Sequence, residues 1–172
     1  MMNIKRILSI LLALVCVGVL VCSLCACDGE GSGEENEGGA SSPFYVNYKN
    51  VKIELDKKAE SVLEKLGEPK YSDNLGDCGG IGVQTKYTYD DIAVNTLKEK
   101  DGEKIHKIAL LNDLVSTSKG ISIGDDEASV KEAYGTPSSE ANGKLTYKSG
   151  NLELEFTLKD GNVTAINYRR IV

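Results

Sequence analysis

Apolar and polar residues alternate along the second half of the chain in the manner of a β-strand. In the clearest run every second residue is apolar: Leu152, Leu154, Phe156 and Leu158. Such alternation predicts an antiparallel strand with one face on the core and one face in solvent. An earlier segment has the spacing of a helix instead, with its apolar residues at Ala59, Val62, Leu63 and Leu66.

The two halves of the chain repeat this order of helix and strands. Segment 53–69 aligns with segment 121–137, 68 residues later, and Ser-Val-x-Glu, Gly and Pro stand at the same places in both. Further on, Tyr-Thr-Tyr at 87–89 matches Leu-Thr-Tyr at 145–147. A match of this length in the same order indicates an internal duplication, and such repeats bear directly on the fold.

Each copy is predicted to be a helical segment followed by a three-stranded antiparallel sheet. We therefore expect an α+β fold of two tandem repeats, with boundaries at 44–112 and 113–172. Asp56 and Asp125 are expected to cap the two helices, because an aspartate side chain accepts from free N–H groups at a helix start. An Asp-Gly pair later in each copy is the favoured tight turn between two strands.

The N-terminus has the composition of an export signal. Lys5 and Arg6 precede an apolar run over 7–26, and Cys27 follows a small alanine. This order is that of a secretory signal peptide over residues 1–26. It resembles a bacterial lipoprotein signal, which implies cleavage before Cys27 and a lipid on that residue. The alternative is an uncleaved transmembrane anchor, because about 20 apolar residues can span a bilayer.

Residues 27–43 have the composition of a flexible acidic tether. After Cys27 they contain no large apolar residue, so they cannot bury enough surface to offset the entropy of ordering, and we expect disorder. The whole chain is acidic as well, since its net charge of −6 becomes −8 once Lys5 and Arg6 are removed. This charge argues against nucleic acid as a partner and against direct adhesion to anionic headgroups.

The cysteines restrict the redox chemistry of the exported part. Of five cysteines, three lie in the predicted signal peptide, and lipidation of Cys27 leaves Cys78 without an internal partner. A lone exported thiol is either buried and inert or paired with another molecule. A catalytic pair of Cys78 with His106, the only histidine, is conceivable, but no motif surrounds either residue, and no catalytic residue is assigned.

The candidates for partner contact lie in and after a glycine-rich loop. Cys78 stands within Asp-Cys-Gly-Gly-Ile-Gly, and loops of this kind adapt to partners. Tyr87, Tyr89 and Tyr147 can add aromatic contact area. The alternative, which the frequency of aromatic residues in strands favours, is that these rings pack between sheet and helix.

The sequence predicts no metal and no cofactor. An acidic triplet, Asp125-Asp126-Glu127, lacks the alternate spacing of a calcium loop, and the helix dipole favours acidic residues in a first turn in any case. The glycine-rich loop is followed by a predicted strand rather than a helix, so it does not have the context of a phosphate-binding loop.

The Ile-x-Ile-Gly lead-in at 121–124 and the Tyr-Gly-x-Pro helix end at 134–137 resemble those of the β-lactamase inhibitor protein fold. A single unit of this kind is similar to the small barrel-assembly lipoproteins. With Cys78 ahead of the Tyr-Thr-Tyr stretch, the chain also resembles uncharacterised lipoproteins of clostridial-type bacteria, although Gly79-Gly80 follow the cysteine where an aromatic residue is usual. The resemblance implies a fold, and no inhibitory residue can be matched.

These observations predict a non-enzymatic, lipid-anchored binding module on the extracytoplasmic face of a bacterial cell membrane. Its partner is expected to be a protein or another ligand of the cell envelope. Two alternatives remain open. One is a structural subunit of an envelope complex, and the other is an enzyme that uses Cys78 or a carboxylate pair that the sequence does not reveal.

Overall fold

The computed structural model describes residues 42–77 and 79–172. The predicted signal peptide, Cys27 with nearly all of the predicted tether, and Cys78 lie outside the described residues. In the described part of the chain, no helix combines the length and the hydropathy that crossing a bilayer requires.

Ten strands and two short helices make up the described residues. In chain order they are β1 (Tyr45–Tyr48), β2 (Val51–Glu54), α1 (Glu60–Leu66), β3 (Tyr71–Asp77), β4 (Val83–Thr88), β5 (Ile92–Glu99), β6 (Gly102–Leu110), α2 (Glu127–Tyr134), β7 (Ser139–Ala141), β8 (Lys144–Ser149), β9 (Leu152–Lys159) and β10 (Asn162–Arg170). β1 and β2 form a separate hairpin. The other eight strands form one antiparallel sheet in the order β3-β4-β5-β6-β10-β9-β8-β7.

The predicted fold class is therefore wrong. The protein is mostly β, with one large sheet and a hairpin, rather than two tandem α+β repeats that each carry a three-stranded sheet. Each half contributes a fourth strand, β3 or β7, that the hydrophobic pattern does not reveal. Both lie at the edges of the sheet with nearly every residue exposed, and a strand that is solvated on both faces has no apolar alternation.

The two edge strands differ in length and regularity. β3 has seven residues, and its pairing with β4 is interrupted by a bulge between Asn74 and Gly76. β7 has only three residues. Short and bulged edges are the usual means by which a sheet avoids pairing with a further strand.

The two halves join where β6 pairs with β10. Their register runs from Leu110 opposite Ile166 to Lys107 opposite Arg169. An unpaired strand leaves a row of open N–H and C=O groups. Pairing β6 with β10 satisfies these groups in both halves at once, and for this reason two separate three-stranded sheets do not form.

The two central strands, β6 and β10, extend beyond this junction. Each forms a backbone hydrogen bond with the segment that precedes the helix of its own half. In the first half, Asp56 N–H donates to the Ile105 carbonyl at 2.8 Å. In the second half, Gly124 N–H donates to the Val163 carbonyl, also at 2.8 Å. The two donors, Asp56 and Gly124, are 68 residues apart, which is the spacing between the two aligned segments of the sequence.

One face of the large sheet is buried beneath the helices and the hairpin. Ile108, Phe156 and Tyr168 of the sheet share one hydrophobic cluster with Val46 of the hairpin and Val130 of α2. The predicted alternation of β9 is confirmed, because its apolar residues point into this cluster while Glu155 and Thr157 remain partly exposed. The two faces of the sheet are therefore chemically different.

The helix starts differ from the predicted ones. α2 begins after Asp126, whose side chain accepts from Ser129 N–H at 2.7 Å, so the cap lies one residue after the predicted Asp125. α1 has no side-chain cap. Asp56 has a φ of 66° and its carboxylate binds Arg170, so it is directed away from the helix that it was predicted to cap.

Arg170 links the two halves through an ion-pair cluster. Its guanidinium, at the end of β10, binds Asp56 of the first lead-in segment and Glu99 of β5, and the residue is 7% exposed. Lys104 adds a second cation to Glu99, at 3.1 Å. Hydrogen bonds from Arg170 first, and from Lys104 second, hold the pKa of Glu99 below its usual value.

Arg170→Met should lower the free energy of unfolding by about 2 kcal/mol, because partly buried Glu99 and exposed Asp56 lose their charge-assisted hydrogen bonds to the buried guanidinium. Chemical denaturation followed by circular dichroism measures this loss. Lys159→Met is a control at an exposed cation of β9 that forms no ion pair with any described residue, and it should cost less than about 1 kcal/mol. Equal losses in the two variants would show that Arg170 does not stabilise the junction.

Candidate functional site

Two residues that the sequence singles out cannot be placed. Cys27 and Cys78 lie outside the described residues, so the lipid site and the thiol site stay predictions. His106 lies half-buried in β6, and its Nδ1 atom has no hydrogen-bond partner among the described residues. Burial lowers the pKa of His106, and the positive charges of Arg170 and Lys107 lower it further. These conditions favour the neutral imidazole.

The predicted tyrosines hold the helix ends against the sheet. The Tyr89 hydroxyl donates to the Gly67 carbonyl at 3.4 Å, and the Tyr147 hydroxyl donates to the Gly135 carbonyl at 3.2 Å. Burial raises the pKa of both hydroxyls, and neither residue is more than 5% exposed. Tyr87 is half-buried against the same core. All three rings pack as the alternative interpretation describes, and they offer little surface to a partner.

The acidic triplet before α2 is explained by local structure. Asp126 caps the helix, and Glu127 pairs with Lys131 one turn later at 2.6 Å. Asp125 accepts from the backbone N–H of Ser122 at 2.8 Å. Within residues 42–77 and 79–172, no group of three His, Cys, Asp or Glu side chains is arranged to hold a metal ion.

A row of charged and polar side chains crosses the sheet on the face opposite the core. Each member lies directly opposite the next on the neighbouring strand: Asp73, Lys86, Asn95, Lys107, Arg169, Glu153 and Lys148. We call this set the charged row, and the face that carries it the open face. Neighbouring strands are about 4.8 Å apart, so the side chains of the row form a continuous band.

A second row, two residues along each strand, forms a floor beside the charged row. Its members are mostly small or uncharged: Tyr71, Thr88, Ala93, Ala109, Asn167, Glu155, Thr146 and Ser139. Ala93 and Ala109 are paired at its centre. Ala93 is only 1% exposed, whereas Ala109 is partly exposed, so the floor is closed to solvent at Ala93.

Ion pairs join the charged side chains at one end of the charged row. Glu153 is 3% exposed and binds both Arg169 and Lys148, the latter at 2.9 Å. Burial by itself raises the pKa of Glu153, but the hydrogen bonds from Lys148 and Arg169 outweigh it, so the pKa lies below its usual value. Beside this group, Lys144 binds Glu155 at 2.9 Å.

The other part of the charged row also carries two cations, Lys86 and Lys107, and Asp73 lies directly opposite Lys86. Lys86 and Lys107 are half-buried, and neither forms an ion pair with any described residue. Asn95 lies between them and directly opposite each. Lys107 lies opposite Arg169 on its other side, and like charges in this position destabilise a sheet. The arrangement is unfavourable in the free protein and leaves two ammonium groups available to a ligand.

The glycine-rich loop borders the open face next to the charged row. Leu97 lies two residues beyond Asn95 on the same face of β5, and it is nearly fully buried. Gly82, with a φ of 118°, lies so close that a Cβ atom there would be 3.3 Å from the Leu97 side chain and 3.2 Å from the Lys98 carbonyl. The loop therefore covers Leu97, and glycine at this position permits the close approach.

Sequence reasoning missed the charged row because seven strands contribute to it. One signal was present, since the polar positions Glu153 and Glu155 mark the solvated face of the predicted β9 strand. The opposition of Lys107 and Arg169, however, depends on the pairing of β6 with β10, and alternation within a strand carries no information about which strands become neighbours.

The fold and the site define a mostly β protein in which one sheet face is covered and the other is polar and open. The sequence matches the family described as a domain of unknown function (DUF7738) over residues 41–162, and the chain belongs to this family. No curated protein and no solved structure gives a significant match to it.

Glu153→Gln should lower the free energy of unfolding by about 1–2 kcal/mol near neutral pH, because two charge-assisted hydrogen bonds are weakened. The folded-state pKa of Glu153 is depressed, so this contribution is present above the unfolded pKa of about 4.3 and is lost as the pH falls through the folded value. Denaturation of both proteins between pH 3 and 7 tests this. If the difference in free energy of unfolding between the two proteins does not narrow below about pH 4, the stabilising role given to the Glu153 carboxylate is wrong.

Proposed function

We propose that the protein is a non-enzymatic, lipid-anchored binding module on the extracytoplasmic face of the cell membrane, and that the open face is its contact surface. The difference between the two sheet faces carries this proposal. One face is used entirely for the core, whereas the other presents two aligned rows of side chains that no helix covers in the described part of the chain, and all of them except Glu153 and Ala93 are partly or fully exposed.

The dimensions of the open face suit a protein partner. Eight strands at a spacing of about 4.8 Å give a surface about 34 Å wide. A stable interface needs about 800 Å² on each partner; at about 6.8 Å per row the two rows supply about 460 Å², so such an interface extends onto the flanking rows of the sheet. The mixture of amides, hydroxyls, charges and short apolar side chains matches the usual polarity of such surfaces.

The anchor is supported by the sequence. The basic start, the apolar run and the alanine before Cys27 resemble a lipoprotein signal, and a diacylated cysteine attaches firmly because each buried methylene contributes about 0.8 kcal/mol. A flexible tether of 17 residues spans about 20–25 Å on average, and a tether of this kind is what the composition of residues 27–43 predicts.

A photo-crosslinking amino acid in place of Asn167 should give covalent adducts with a partner in cells of the source organism, because Asn167 lies in the floor of the open face. The same amino acid in place of Glu64, an exposed position on α1, is the matched control and should give few adducts. Adducts are counted on denaturing gels and identified by mass spectrometry. Equal yields at the two positions, or adducts only at position 64, would rule out the open face as the contact surface.

Cys27→Ala should abolish labelling by fatty acids and release the protein from the membrane fraction, or leave it as an unprocessed precursor. Metabolic labelling with an alkyne fatty acid, followed by fractionation, measures both effects. Cys25→Ala, two residues earlier, is the control and should leave labelling intact, since residue 25 lies in the segment that is removed. Labelling that persists in Cys27→Ala would show that the anchor is elsewhere.

A further inference from the structure

We propose that the open face recognises an acidic segment of a partner protein, with carboxylate groups held between Lys86 and Lys107 at Asn95. This inference rests on the proposed function, because it names the chemistry of the partner that the open face binds.

The geometry of three adjacent strands supports the proposal. Lys86, Asn95 and Lys107 lie directly opposite one another on β4, β5 and β6. The two lysines are therefore separated by two strand spacings, about 9.6 Å, and their long side chains can converge above Asn95. A carboxylate at that point can accept hydrogen bonds from both ammonium groups and from the Asn95 amide.

The charges of the free protein leave this place without an anion. Both lysines are half-buried, yet neither has an ion-pair partner among the described residues. The buried carboxylate of the row, Glu153, is already bound by Arg169 and Lys148. An incoming carboxylate would relieve the unfavourable opposition of Lys107 and Arg169, so the free protein is poised to gain from binding an anion.

The other charges on the open face favour a protein over a uniformly anionic polymer. Asp73 lies at one end of the charged row, and it forms no ion pair with any described residue. A polymer with a phosphate at every unit would be repelled there, whereas Glu153 and Glu155 are already held by Arg169, Lys148 and Lys144. A protein surface can place carboxylates over the two lysines and donors over the acids, and this is how charge patterns across interfaces produce specificity.

The charge of the rest of the chain makes the site more selective. The mature chain is expected to carry a net charge of −8, whereas the seven residues of the charged row carry four cations and two anions. The described residues carry 18 cations and 21 anions, since five acids lie within residues 28–37, so the net positive charge of the row is a local departure from a weakly negative surface. Local attraction of this kind orients a partner as it approaches.

Binding of a fluorescent hexaglutamate peptide to the full-length lipidated protein in a nonionic detergent tests the proposal. Measurements at about 50 mM salt keep electrostatic screening low. Lys86→Glu with Lys107→Glu should weaken binding by about tenfold or more. Lys57→Glu with Lys100→Glu makes the same change in net charge at two exposed lysines outside the open face, and it should weaken binding by less than about threefold.

Two further variants separate recognition from folding. Lys86→Gln with Lys107→Gln removes the two charges without introducing acids, and it should also weaken binding. This variant replaces the charge-reversed pair if that protein does not fold. Glu153→Gln frees Arg169 and Lys148 and should tighten binding by about twofold to fivefold, although it lowers stability. A gain of affinity in a less stable variant is not explained by loss of structure.

Several outcomes would overturn the proposal. Equal weakening by the two charge-reversed pairs would show that the peptide senses only net charge. No gain of affinity in Glu153→Gln would show that the charged row does not act as one site. Inorganic polyphosphate that displaces the peptide and binds at least as tightly would assign the face to an anionic polymer instead of a protein.

The crosslinking experiment distinguishes failure of this inference from failure of the proposed function. If position 167 gives no adducts in the wild-type background, the proposed binding surface itself is wrong. If adducts form there and their yield is unchanged by Lys86→Glu with Lys107→Glu, the open face binds a partner and the acidic chemistry is wrong. Adducts that form in the wild type and disappear in this variant support both.

Discussion

Backbone pairing between β6 and β10 is the interaction on which the rest of the structure depends. It joins two four-stranded halves into one sheet, and it places Lys107 opposite Arg169. It also brings the end of β10 to the first lead-in segment, where Arg170 reaches Asp56. A register shift of one residue would exchange the two faces of β10, so the core and the open face are set by the same few hydrogen bonds.

The sequence predicted most of the elements that bury an apolar stripe and missed those that do not; it also missed β1, although Val46 and Tyr48 are buried there. The helical spacing before Leu66 and the alternation of β9 correspond to observed elements, α1 and β9, because burial of one side leaves a periodic signal. β3 and β7 are exposed on both sides and leave none. The open face could not be predicted for a related reason, since it depends on strand order, and strand order arises from contacts between distant parts of the chain.

The open face also shows how an acidic protein can carry a band of positive charge. Within the sheet, Glu153 is held by two cations, while two other lysines of the same row form no ion pair with any described residue. Some cationic side chains of the sheet therefore stabilise a buried carboxylate, and others remain in contact with solvent. Because all of these groups stand on neighbouring strands, their backbone positions are fixed in advance, and the entropy that remains to be lost on binding is that of the side chains.

The irregular edges of the sheet matter most for a protein that is confined to a surface. On the proposed anchor, copies of the chain share a thin layer above the membrane, and tethering raises their effective concentration for one another. Sheets with long, regular edges would then tend to add strands from neighbouring molecules. The bulge in β3 and the three-residue length of β7 interrupt the hydrogen-bonding template at both ends. The molecule can therefore be displayed densely while each copy keeps its own sheet.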